Sequence, residues 1–376
     1  MAGIYIHIPF CKQACTYCNF YFSTSLRQKE SFINALLKEI ASDQGFINRK
    51  EIIDTVYFGG GTPSMLSKEE LHRIFEVIHN NFTVSEDAEI TLEANPDDIE
   101  KNKLKGWMSS GINRLSLGVQ SFNEAELRWM NRAHSAEESL GSIDMILEAG
   151  INNFSVDLIF GSPLLSDASL IKNLEIISER KIPHLSCYGL TVEPKTALHK
   201  MIELKKSLPV DSDHQANQFL LLMKHLESEG YEQYEISNYA REGFRSKHNS
   251  SYWQGKSYFG FGPSAHSYNG KNSRRWNVAN IATYIKSIDF GDVFYQEEIL
   301  TLEQQMNEYI MIALRTIEGI DLRFFSENFG NEKKEVLIAQ ANTFLQKEQL
   351  QQKNERLTLT TSGKLLADHI AAELFF

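Results

Sequence analysis

Ile4-Tyr5-Ile6-His7-Ile8-Pro9-Phe10-Cys11-Lys12-Gln13-Ala14-Cys15-Thr16-Tyr17-Cys18 stands at the start of the chain. Its apolar stretch over residues 4–8 reads as a strand. Three cysteines follow with three and then two residues between them. A closed iron–sulfur cluster or a structural zinc takes four protein ligands. Three thiolates can instead hold three irons of a 4Fe-4S cluster and leave the fourth iron open for an exchangeable ligand. Cys11, Cys15 and Cys18 with His7 would also satisfy a Cys3His zinc site, so the spacing alone leaves two metals in play.

Outward from that stretch, β-rich runs alternate with helical periodicity. Strands are expected over 4–8, 54–58, 88–92, 114–118, 154–159 and 184–190, and helices over 30–42, 68–80, 98–109, 136–149 and 170–179. Such alternation predicts a parallel sheet with helical crossovers. Six units suit an α/β fold, a partial (β/α)6 barrel. Past residue 190 the pattern changes to a long helix over 211–230 and a loop-rich, aromatic and glycine-containing stretch over 231–276. From residue 300 come helices over 302–317, 322–328 and 333–347, a strand over 356–360 and a final helix over 362–374. The expected organisation is a barrel core over 1–230, a connecting region over 231–299 and a mostly helical, winged-helix-like domain over 300–376.

Composition narrows the function. The 376 residues are 42% hydrophobic, enough for a large core, and the net charge of −11 argues against a nucleic-acid surface. Three of the four cysteines crowd into the first eighteen residues, a metal-binding pattern of a reducing compartment rather than a disulfide framework. Cys187 reads as a small buried apolar residue. No apolar run reaches the length of a membrane span, and no signal peptide is visible, so a cytoplasmic location is expected.

In parallel α/β barrels the chemistry gathers at the carboxyl ends of the strands. Read in order, those positions hold the cysteines, Gly59-Gly60-Gly61-Thr62-Pro63, Glu93, Gln120, Asp157 and the run from Tyr188 to Glu193. A zinc site does not need this set. Each group also has a plain reading: the glycines as a tight turn, Glu93 and Asp157 as partners of barrel cations, Arg132 as a surface cation, Tyr17 as packing.

Together these motifs resemble the radical S-adenosylmethionine (SAM) superfamily. Tyr5-x-His7-Ile8-Pro9-Phe10-Cys11, the Gly-Gly-Gly-Thr-Pro loop, Leu92-Glu93-Ala94-Asn95-Pro96 and Leu117-Gly118-Val119-Gln120-Ser121 look like one branch of it. That branch holds the oxygen-independent coproporphyrinogen III dehydrogenases and the HemW-type heme chaperones, and the likeness covers essentially the whole chain. It implies a 4Fe-4S cluster on Cys11, Cys15 and Cys18. It implies SAM cradled by Tyr5, Tyr17, Gly60, Gly61, Thr62, Glu93, Gln120, Arg132 and Asp157. Arg132 suits the SAM carboxylate because its fork is planar, and Tyr17 matches the position that contacts adenine.

Three features favour the chaperones. The dehydrogenases carry a further cysteine two residues after the third, where this chain has Phe20. Their N-terminal extension is expected to be missing here. His248-Asn249-Ser250-Ser251-Tyr252-Trp253 matches the chaperones' HNxxYW motif. The resemblance therefore implies heme binding near His248, Asn249, Tyr252 and Trp253 and transfer to acceptor hemoproteins, including membrane-bound respiratory ones. Histidine is a common axial ligand of heme iron. His266 and His214 are competing ligands. The alternative is the dehydrogenase itself, an enzyme that decarboxylates propionates by radical chemistry. A homodimer stays open.

Overall fold

The computed structural model describes residues 2–42 and 45–376. Alternation sets the two faces of each strand. In β1 (Ala2–Ile8) the isoleucines at 4, 6 and 8 are fully buried, while Gly3, Tyr5 and His7 point the other way. β2 (Ile52–Gly60), β3 (Thr83–Ala94), β4 (Arg114–Gln120), β5 (Phe154–Phe160) and β6 (His184–Gly189) follow, each parallel to the one before. The crossover helices are Lys29–Ala41, Lys68–Asn81, Lys101–Ser109, Ala136–Glu148 and Asp167–Glu179. Ser67 with Glu70 and Ser135 with Glu138 form capping boxes that fix two of their starts. The expected partial barrel is thus the fold. Its apolar residues face the helices, and its lumen is polar, with Thr55, Tyr57, Glu89, Glu93, Arg114, Ser116 and Asp157 on the alternate positions.

The 231–276 stretch differs from the loop-rich expectation. It forms β7 (Glu232–Glu235), β8 (Asn238–Ala240), β9 (Tyr258–Phe261), β10 (His266–Tyr268) and β11 (Ser273–Asn277), and β12 (Tyr295–Ile299) follows. The sheet order is β12-β11-β10-β9-β1-β2-β3-β4-β5-β6-β8-β7. β9 lies parallel to β1 and β8 antiparallel to β6, so both open edges of the barrel are covered. Strands of three to five residues are too short for alternation to show. What holds them is pairing with distant strands, together with ties such as Glu39. That buried carboxyl, on the first crossover helix, accepts from the Gly262 amide at 2.8 Å, the Asn277 amide at 2.7 Å and the Tyr284 hydroxyl.

Between β8 and β9 the helix Lys247–Trp253 enters the amino end of the lumen. From Leu302 the chain builds a separate apolar core that includes Ile310, Phe325, Leu337, Leu357 and Ile370. Helices Leu302–Leu314, Leu322–Phe329 and Asn331–Gln346 accompany β13 (Ile320–Asp321), β14 (Leu350–Lys353) and β15 (Arg356–Leu359), with β15 central. This is the winged-helix-like arrangement expected. The final helix is split into Thr361–Lys364 and Ala367–Glu373. Cys187 is buried as expected. No described helix is long and apolar enough to cross a membrane.

Candidate functional site

The cysteine loop leaves β1 and is stapled along its length. The Gly61 amide donates to Ile8 O at 2.8 Å and the Thr62 amide to Phe10 O at 2.7 Å. The Cys11 amide donates to Ser23 O, the Thr16 amide to Met130 O, and Asn131 Nδ2 to Ala14 O. Lys12 forms ion pairs with Asp97 and Asp98. Gly60 has φ 106°, where glycine costs least. A Cβ on Gly61 would stand 2.6 Å from Phe10 O, so only glycine allows this approach.

The three thiols are free and partly exposed. Burial pushes Cys11 up to about 11, against a hydrogen bond from Thr62. Such thiols deprotonate when a metal takes them. His7 does not join them. The Tyr5 hydroxyl lies 3.2 Å from its Nδ1, and its Nε2 is 2.9 Å from Tyr21 O. Among the described residues no three His, Cys, Asp or Glu side chains converge on one ion position. With both ring nitrogens of His7 engaged, no single-ion Cys3His site is assembled among the described residues.

Arg132 lies against this loop. Its Nη1 donates to Cys15 Sγ at 3.2 Å and Tyr17 Oη at 3.4 Å, and its Nη2 to Asn95 Oδ1 at 2.6 Å and Gly118 O at 2.7 Å. Nε is buried without a partner, and no described carboxylate forms an ion pair with the guanidinium. A buried cation without an anion is costly unless something supplies one. Asn95 also donates to Thr62 Oγ1 at 3.3 Å, closing a run of contacts from the glycine loop to Cys15. Gln120 ends β4 at φ 69°, an uncommon value for a residue with a side chain, and its amide lies over Gly118.

Two acids complete this end of the lumen. Glu93 accepts from Tyr57 Oη at 2.7 Å and from the Gly60 amide at 3.1 Å. Burial pushes it up to about 7, with Asp157 adding repulsion. Asp157 is raised to about 6 by burial, opposed by hydrogen bonds from Ser186 and Ser116. All nine residues expected around SAM thus lie on this rim or, in Tyr5's case, just below it, where its ring stacks on Tyr57. Tyr57, Ser116 and Ser186 stand beside these residues and are not singled out from sequence, while Asn95 lies in the 92–96 motif without a role of its own there. The inward strand positions of Tyr57, Ser116 and Ser186 were the available signal.

The HNxxYW residues lie at the other end. His248 is buried, with Thr55 Oγ1 2.8 Å from Nδ1 and Tyr252 Oη 2.8 Å from Nε2. It stacks on Tyr57 at 4.9 Å, and burial lowers it to about 3. Glu89 accepts from the amides of Lys247 and His248, each at 3.0 Å, and so caps this helix. Asn249 donates to Tyr234 Oη at 3.4 Å. Tyr252 and Trp253 turn outward into a cavity of about 1120 Å³ between the barrel, the β9–β11 sheet and the C-terminal domain. His266 lines that cavity as well. His214 does not: it sits on the helix Ser212–Ser228 with Nε2 3.0 Å from Leu165 O.

The sequence profile of the Radical SAM superfamily matches residues 5–177, and that of the HemN C-terminal domain matches residues 300–366. Among curated proteins, the heme chaperone HemW of Bacillus subtilis is 33% identical, the alignment covering 98% of each chain. That of Lactococcus lactis is 31% identical over 97% of this chain and 95% of its own. The solved structure of coproporphyrinogen III oxidase (HemN) from Escherichia coli superposes with a TM-score of 0.85 over all of this chain and 90% of its own, at 23% identity. With the cysteine loop, glycine turn and barrel already in place, these likenesses put the chain in the radical SAM superfamily, within the coproporphyrinogen III oxidase-like branch that includes the HemW-type heme chaperones.

Proposed function

We propose that this protein is a cytoplasmic heme chaperone, which binds heme and passes it to acceptor hemoproteins, on a scaffold that carries a 4Fe-4S cluster and SAM. Membership of the superfamily implies both cofactors. The observation that carries the reading is the aromatic cavity of about 1120 Å³ that opens beside the lumen. It lies above the roughly 300–1,000 Å³ usual for a small-ligand site, ample room for a porphyrin. The relatives called heme chaperones align over nearly the whole chain, including the elements that build this cavity.

The residues fit the cofactors. Cys11, Cys15 and Cys18 supply three thiolates and leave one iron open. The cluster would provide one-electron reduction and a binding iron for SAM. Arg132 is buried with Nε unpartnered and forms no ion pair with a described carboxylate, which suits the SAM carboxylate. Glu93 and Asp157, buried and held partly protonated, would ionise against an ammonium or accept from ribose hydroxyls. Gly60 and Gly61 expose backbone, Thr62 and Gln120 flank it, and Tyr5 and Tyr17 give flat faces to the nucleoside. Tyr252 and Trp253 offer ring faces to heme, and the motif's His248 and Asn249 hold their helix in place.

Phe20, exposed on the cavity wall, stands where the dehydrogenases have their extra cysteine. The test is anaerobic: heme titration of cluster-reconstituted protein, transfer to an apo-hemoprotein, and turnover of coproporphyrinogen III. Saturable one-to-one binding with transfer is expected. Catalytic conversion to protoporphyrinogen IX would overturn the chaperone reading.

A further inference from the structure

Resting on the heme-chaperone reading, we propose that the heme iron is ligated by His266 of β10, on the wall of the cavity, and that His248 of the HNxxYW helix positions this site without touching iron.

Geometry separates the two histidines. His248 has both ring nitrogens occupied at 2.8 Å and is only 2% exposed. Reaching iron would cost two buried hydrogen bonds and strand Thr55 Oγ1 and Tyr252 Oη without partners. His266 is in the opposite condition. It faces the cavity, more than a third of its surface is exposed, and neither ring nitrogen bonds to another described residue. Its ring is steadied by stacking on Trp276, with centroids 6.1 Å apart and an interplanar angle of 24°. Burial and the nearby Arg274 hold it below its ordinary pKa, so it stays neutral, the form that binds iron.

The walls around it suit a flat amphipathic ring. Phe20, 68% exposed, comes from the cysteine loop, and Trp253 comes from the motif helix with its indole N–H unpaired. Lys271, on the same wall, forms no ion pair with a described residue and would meet a propionate. His248 acts here through its bond to Tyr252, which orients the helix bearing Trp253.

The test is titration of the cluster-reconstituted full chain with ferric heme, for wild type, His266→Ala and His248→Ala. Axial ligation is read by near-infrared magnetic circular dichroism, and folding by iron content and thermal midpoint. Wild type is expected to show a histidine-ligated heme. His266→Ala should lose that signal, weaken binding at least about tenfold, keep its iron and midpoint, and regain the signal with added imidazole. His248→Ala should keep the histidine signal while its midpoint falls. A histidine signal that survives in His266→Ala, or a loss there that imidazole does not restore, overturns the assignment. No saturable heme binding by wild type would take down the chaperone reading itself.

Discussion

The two ends of the barrel lumen are built from the same alternation of inward polar residues, yet they are satisfied to different degrees. At the amino end the lumen-facing groups are partnered, Thr55 and Tyr252 on His248, Glu89 on the helix amides, Asn249 on Tyr234, while the Trp253 indole N–H beside the cavity is not. At the carboxyl end the thiols form no disulfide, Cys15 accepting from Arg132 and Cys11 from Thr62. There Arg132 Nε is orphaned, Gln120 sits at positive φ, and two buried acids are raised by desolvation. A completed network is held for structure. An incomplete one, in a stapled frame, is held for a ligand.

The comparison breaks most sharply at Cys15. Cys15→Ser should bring bound iron and sulfide close to background after reconstitution while the far-ultraviolet circular dichroism stays that of wild type, because a hydroxyl is a poor ligand for the cluster. Full iron in the variant would remove the loop from the site.

Next come matched losses. His248→Ala opens a void and strands two hydroxyls, so urea unfolding of the cofactor-free chain should lose about 3–5 kcal/mol. Arg132→Met removes a buried cation but strands Asn95 Oδ1 and Gly118 O, so it should also lose about 2–4 kcal/mol, and the two ends part on ligand affinity rather than on stability. Its affinity for SAM, by equilibrium dialysis, should drop at least about tenfold. Unchanged SAM affinity in Arg132→Met, or an equal loss of SAM affinity in His248→Ala, would erase the distinction between the ends.

The ends should also respond to pH with opposite sign. His248 is depressed from 6.5 to about 3, so the unfolded chain takes that proton first. Its contribution is full above pH 6.5 and is lost as pH falls toward 3. Glu93 is raised from 4.5 to about 7, so the folded chain keeps a proton the unfolded chain releases. That contribution is full below 4.5 and is lost as pH rises through 7. Glu93→Gln should therefore flatten the decline between pH 4.5 and 8 by on the order of 2–3 kcal/mol relative to wild type. Parallel curves would show that Glu93 is not held protonated.

The smallest effect belongs to Glu89→Gln, which weakens one helix cap. A loss of about 1 kcal/mol in urea unfolding is expected, with iron content and SAM affinity unchanged.

Much of the carboxyl end was legible because its residues are close in sequence to strand ends. Cys11, Gly60, Glu93 and Asp157 each follow a β-rich run, and the fold rule places such positions on one rim. Arg132 was found only through resemblance, and Asn95, which joins it to Thr62, is visible only once β3 and β4 are paired. The amino end was harder. Nothing near His248 says that it meets Thr55 or that Glu89 caps its helix, because both partners come from strands far back in the chain. β7 to β11 escaped for the same reason: their stability lies in pairing with β1 and β6, not in their own residues.

The plug that His248 makes has a consequence in time. Thr55 and His248 are 193 residues apart. At about 5–20 residues synthesised per second, β2 is made some 10–40 s, and the sixth barrel strand some 3–12 s, before the helix that fills their amino end exists. During that interval Thr55 and Glu89 face an unfilled lumen, while the cysteine loop is already complete. Nascent chains stalled before residue 247 should be cut readily within the barrel, and chains released past residue 261 should resist. Delivery of iron and sulfide to an open barrel is therefore an available order of assembly.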